Sequence, residues 1–246
     1  MFIELVMKDN QLDYTSGLAN YSYGGGGSTV TAIPVDPCAY LKSLKNDQRL
    51  TEEIKRYYDM MNNTINEQGF IREAHDKQNP VKHKKSSPTS ITFDYSHGTK
   101  YCEQLHTHPT LSGGTPFPSP KDHNNLYSIY KEGRMQDVNK FRYIIVSELG
   151  ISCLMITDVK AFDAFAGKWL SGNKEFDIND LLFNRGRSYS HSQSFEAHLR
   201  DLLMLFKANN AGLTYYHRNT SAAENNPEWS LQELDSQNNL TIKNCN

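Results

Sequence analysis

Two apolar runs, Phe141-Arg142-Tyr143-Ile144-Ile145-Val146 and Ile151 to Ile156, are separated only by Ser147-Glu148-Leu149-Gly150. Such short runs, bounded by a glycine-containing turn, predict two buried strands joined as a hairpin. Shorter apolar runs at Phe70-Ile71, at Ile91 to Tyr95 and at Tyr101 to Leu105 predict earlier strands, and Gly212 to Tyr216 and Trp229 to Gln232 predict late ones. Helical spacing recurs between them. Asp36-Pro37 offers an N-cap and a first-turn proline for a helix that breaks near Asn46-Asp47 and runs to about Asn63, with Leu41, Leu44, Ile54, Tyr57, Tyr58 and Met61 on its apolar positions. Further helices are predicted from Pro120 to about Lys131, closed by Gly133, and over Ala161 to Leu170 and Phe195 to Phe206. This alternation argues for an α/β or α+β fold, with a mixed sheet flanked by helices.

Residues 8 to 36 are rich in Asn, Ser, Thr, Tyr and Gly and include Gly24-Gly25-Gly26-Gly27-Ser28, which reads as a flexible leader over 1–36 ahead of a domain over 37–246. The 11 Phe, 14 Tyr and 2 Trp supply enough burial to exclude disorder throughout. Lys plus Arg, 26, against Asp plus Glu, 28, leaves a net charge of −2, so no positive field draws a polyanion and nucleic acid is not an expected partner. The basic cluster Lys82-His83-Lys84-Lys85 reads as a solvated loop. No apolar stretch is long enough to span a bilayer, and the start lacks the pattern of a secretion signal, so the expected location is the cytoplasm of the producing cell or a signal-peptide-independent export route. Cys38, Cys102, Cys153 and Cys245 are too widely spaced for a metal knuckle; they read as buried thiols, with Cys245 exposed.

Chemistry concentrates in Leu105-His106-Thr107-His108-Pro109, which ends a strand and leads through a Gly- and Pro-rich loop to Pro118-Ser119-Pro120-Lys121-Asp122. Histidines at i and i+2 of an extended chain project to one side and can meet one metal ion. Ser119 is a suitable N-cap, Pro120 suits the first helical position, and Asp122 falls in the first turn, where its carboxylate can face back to the histidines. Two His and one carboxylate leave a fourth position open, which for Zn2+ is a catalytic arrangement. Each half alone has an ordinary explanation, chance for His-x-His and a plain cap for Ser-Pro-x-Asp. Their succession is what points to a metal site. His123 is expected on the surface, and His75, His83, His97, His191, His198 and His217 have no partner at ligand spacing.

Over residues 50 to 170 the chain resembles the JAMM or MPN+ (JAB1/MPN) metalloproteases, whose signature is an upstream Glu, then His-x-His-Pro, then Pro-Ser-x-x-Asp. Here these read Glu67, His106-Thr107-His108-Pro109 and Pro118 to Asp122. The loop between them is a few residues longer than the family's usual one, around Leu111 to Thr115, and Glu67 precedes its glycine by one residue fewer. The resemblance implies an MPN/JAB-like fold with cytidine-deaminase-like layering, His106, His108 and Asp122 as metal ligands, Glu67 as general base and Ser119 as oxyanion stabiliser. Glu73, six residues further along the same strand, competes with Glu67. The implied activity is zinc-assisted hydrolysis of an amide or isopeptide bond in a protein or peptide substrate, in a bacterial toxin or effector setting with an immunity or delivery protein as partner. Two other classes remain beside it: a catalytically silent MPN-type binding module, and a metal-dependent nuclease toxin.

Overall fold

The computed structural model describes residues 36–73, 80–96, 98–109, 117–170, 194–219, 228–243 and 245, all within the unit Pro34–Asn246. The expected leader, apart from Asp36, and the longer loop at Leu111 to Thr115 lie outside these residues, as do His75, His97 and His191.

Two helices open the described chain, α1 (Pro37–Lys45) and α2 (Gln48–Met61), broken at Asn46-Asp47 as the sequence predicts. Asp36 caps α1 by accepting from the Cys38 amide, and Asp47 caps α2 by accepting from the Leu50 amide. Leu50, Ile54, Tyr57 and Met61 recur every three or four residues, so α2 buries one stripe. Strands β1 (Gly69–Arg72), β2 (Val81–Lys82) and β5 (Glu103–Thr107) follow, with β3 (Lys85–Ser87) and β4 (Ser90–Thr92) between them. Next come α3 (Pro120–Lys131), the hairpin β6 (Arg142–Ser147) and β7 (Gly150–Ile156), α4 (Val159–Trp169), α5 (Phe195–Ala208), β8 (Leu213–Arg218), β9 (Ser230–Leu234) and β10 (Leu240–Lys243).

The main sheet is mixed and eight-stranded, in the order β10-β9-β8-β7-β6-β5-β1-β2. All its pairs are antiparallel except β5 with β6, the two strands that flank α3 in the chain. Alternation along the strands then divides the core in two. Ile71, Tyr143, Ile145, Leu154, Ile156 and Tyr215 face Leu126, Phe162, Phe165, Leu199 and Leu202 of α3, α4 and α5. Phe70, Leu105, Ile144, Val146, Cys153 and Tyr216 face Leu41, Leu44, Leu50, Ile54 and Tyr57 of α1 and α2. Helices therefore cover both faces, which is why the β6 and β7 sequences are apolar throughout rather than alternating.

Several expectations are corrected. Cys38 and Cys245 are not thiols but a disulfide with 207 residues of separation, while Cys102 and Cys153 are the expected buried thiols. Tertiary pairing makes the bond: Tyr216 on β8 donates to the Pro37 carbonyl and fixes the start of α1 at the end of the sheet that β9 and β10 extend. Of the run Ile91 to Tyr95 only the beginning is strand, and it pairs with β3 in a separate two-stranded sheet closed by the turn at Pro88-Thr89. Lys82 and Lys85 of the basic cluster accordingly lie on short strands rather than in a loop. Strand β10 was not foreseen, because only Leu240 of its four residues is even half-buried.

Candidate metal centre

Strand β5 carries His106, with His108 just past its end, both buried. The antiparallel register places Gly69 opposite His106 and Arg72 opposite Glu103. The pairing continues beyond β1: the Thr107 amide donates to the Gln68 carbonyl at 2.8 Å and the Gln68 amide to Thr107 Oγ1 at 2.9 Å. Two residues past Gly69, Glu67 lies near this strand end, close enough for His106, His108 and Asp122 to act on its carboxyl. Glu73 lies past the other end of β1, about 13 Å from Gly69 at the usual rise per residue. The sheet thus brings Glu67, and not Glu73, to the histidines.

Asp122 approaches from the third element, the first turn of α3. Its Oδ1 is 2.9 Å from His106 Nε2 and its Oδ2 3.4 Å from His108 Nε2, while the two Nε2 atoms are 3.1 Å apart. Among the described residues these three form a buried group able to hold a metal ion. The fit follows from simple geometry. Ligands about 2.0–2.1 Å from a tetrahedral ion stand about 3.3 Å from one another, and the three separations bracket that value. Two imidazole nitrogens facing each other out of water also need a cation or a shared proton between them, and the carboxylate supplies the compensating charge.

The same carboxylate closes the helix. Ser119 Oγ accepts from the Asp122 amide at 3.3 Å, and the Ser119 amide donates to Asp122 Oδ2 at 2.6 Å, a complete capping box. Capping and metal ligation are therefore not competing explanations of Asp122, since the cap is what aims its other oxygen at His106. Because Ser119 Oγ serves the cap as an acceptor, its own hydroxyl proton remains free to donate. Burial opposes ionisation of Asp122, but His106 and His108, through charge and hydrogen bonding, hold its carboxyl well below the usual carboxylate range. Glu67 behaves in the opposite way. Burial pushes its carboxyl up, and the Asp122 charge adds to this, against His106, His108 and Lys121.

Three contributors escaped the sequence reading. Tyr143 on β6 donates from its hydroxyl to Asp122 Oδ1 at 3.2 Å and sets its ring edge-on to His106, with centroids 5.6 Å apart. Gly69 leaves room under His106, since a Cβ there would lie 2.4 Å from the Leu105 carbonyl oxygen and 2.9 Å from His106 Cβ. His123, expected at the surface, is buried: its Nδ1 donates to the Ser119 carbonyl at 2.8 Å and its ring meets Phe206 edge-on. The apolar cover of α5 over α3 reverses the simple expectation for that helix face. His123 still stays out of the ligand group, as its position round the helix implied.

No protein-family model matches the chain, and neither the curated proteins nor the solved structures contain a significant match to it.

Proposed function

We propose that the chain is a zinc-dependent hydrolase of an amide bond in a protein or peptide, acting in the manner of the JAMM or MPN+ metalloproteases that its motifs resemble. The observation that carries this reading is the convergence of His106, His108 and Asp122 at ligand spacing, with Glu67 brought to the same strand end. The mixed sheet covered by helices on both faces is compatible with an MPN/JAB-like fold.

His106, His108 and Asp122 would hold the ion. Bound there with a fourth position open, zinc supplies an acidified water and a Lewis acid. The chain's own residues do the rest. Glu67, its carboxyl raised by burial, accepts the proton of the attacking water and returns it to the leaving amine. The free Ser119 hydroxyl proton donates to the oxyanion that forms at the scissile carbonyl. Burial of the ligand set excludes bulk water and strengthens each of these interactions.

The test combines metal analysis with turnover. The purified chain is expected to carry about one zinc, and the H106A/H108A double variant none, because loss of two of three protein ligands removes most of the coordination energy. E67Q is expected to keep its zinc and to lose about 10²- to 10⁴-fold in cleavage, scored as new termini by mass spectrometry in a proteome or a ubiquitin-like conjugate panel. Stoichiometric zinc in the double variant would remove this site from consideration. Equal cleavage by E67Q and the parent would remove Glu67 as base, and a folded, zinc-loaded chain without any cleavage would favour the silent binding module.

A further inference from the structure

Asp122 is held from outside the ligand group at both of its oxygens. The Ser119 amide binds Oδ2 at 2.6 Å and the Tyr143 hydroxyl binds Oδ1 at 3.2 Å, the oxygen that also lies 2.9 Å from His106 Nε2. Tyr143 is itself addressed by a donor: Asn125 Nδ2 lies 3.2 Å from its hydroxyl oxygen. An amide nitrogen can only donate and a carboxylate can only accept, so the single hydroxyl proton of Tyr143 has one direction left, toward Asp122. Tyr95 donates to Gln104 Oε1 at 2.6 Å, and Gln104 is the residue that pairs with Tyr143 in the β5–β6 register. A polar chain thus runs from Asn125 on α3 through the Tyr143 hydroxyl on β6 to Asp122. It ties β6, the strand paired with the histidine-bearing β5, to the helix that carries the carboxylate.

We infer that Tyr143, oriented by Asn125, is a positioning residue that fixes Asp122 as a ligand through one oxygen; this deepens, and rests on, the metal-centre reading above. With Oδ2 held in the cap and Oδ1 held by Tyr143, the carboxylate cannot turn to present both oxygens to one ion. A carboxylate free to chelate would fill the position that the chemistry needs open. Tyr143 also abuts the His106 ring, so one side chain orients two of the three ligands. Its place on β6 follows from the sheet, because Tyr143 pairs with Gln104 and projects on the same face as His106.

The experiment separates this role from packing. Tyr143→Phe keeps the buried ring and removes only the hydroxyl oxygen, whereas Asn125→Leu leaves Tyr143 intact and removes the group that directs its proton. Zn2+ affinity is measured by chelator competition, alongside the visible absorption of the Co2+-substituted protein, which is intense for four ligands and weak when a carboxylate chelates and raises the coordination number. Tyr143→Phe is expected to lose about 10- to 100-fold in Zn2+ affinity and to weaken the Co2+ bands. Asn125→Leu is expected to move both readouts the same way by less. Wild-type affinity together with unchanged Co2+ bands in both variants would overturn the inference while leaving the metal centre standing. A folded wild-type chain that binds neither Zn2+ nor Co2+ would instead overturn the metal-centre reading, and this inference with it.

Discussion

Reduction of the Cys38–Cys245 disulfide should cost this chain a large share of its stability without removing any core side chain. The bond closes a loop across 207 residues of separation, and the loop-entropy relation then gives about 5 kcal/mol at 25 °C as the contribution from restricting the unfolded ensemble. Native disulfides generally deliver about 2–4 kcal/mol, so a loss between about 2 and 5 kcal/mol is expected on reduction. The assay is urea unfolding with and without a phosphine reductant, on the wild type and on C38A/C245A. The variant should start at the reduced wild-type value and ignore the reductant. Thiol counting gives an independent check: in denaturant, two thiols should alkylate without reductant and four with it, since Cys102 and Cys153 are free. In the native state those two should resist alkylation, because burial pushes each thiol up to about 12. Identical unfolding curves with and without reductant, or four reactive thiols in unreduced denatured protein, would refute the reasoning.

Two further outcomes follow from the fold. Glu103 is fully buried and accepts from Arg72 Nε at 2.7 Å and from Arg49 at 2.8 Å, while Arg72 also pairs with Glu53 and both Arg49 and Arg142 with Asp47, so E103Q should cost up to about 3 kcal/mol in urea unfolding, the low end for a broken buried pair. Burial opposes ionisation of this carboxyl, but the Arg49, Arg142 and Arg72 partners hold it below its ordinary value. Its stabilisation is therefore complete above the unfolded value of about 4.3 and is lost as pH falls through the lower folded value; acid titrations of stability should be shallower in E103Q than in the wild type. Gly69→Ala should force β1 and β5 apart at His106, costing about 1–3 kcal/mol and weakening metal uptake together; unchanged metal affinity in a folded Gly69→Ala chain would show that the close approach does not govern the histidine.

The local elements were legible because their signals are local. Asp36-Pro37, Asp47 and Ser119-Pro120 mark helix starts that form where the sequence places them, since a cap needs only the amides two or three residues onward. The β6 and β7 hairpin is set by two apolar runs and the short turn between them. The members of the candidate metal group were legible for the same reason: His106 and His108 share a side by strand alternation, and Asp122 must sit in the first turn of a helix capped by Ser119.

Partners distant in sequence were decided only by the tertiary structure. The sequence places Glu67 and Glu73 on one face of one strand; which of them approaches the histidines depends on the register of β1 with β5, which pairs Gly69 with His106 and leaves Glu73 beyond the far end. Tyr143 reads in the sequence as one more apolar strand residue until the β5–β6 pairing sets it beside His106 and α3 docks Asp122 against its hydroxyl. His123 became buried because α5 covers its helix face, and Cys38 met Cys245 because the chain leaves β10 next to the start of α1. Chain composition and periodicity select which elements form, through short-range hydrogen bonding and one-sided burial; which carboxylate, hydroxyl or thiol faces which partner is set by strand register and helix docking, where each contact is specified by the whole sheet at once.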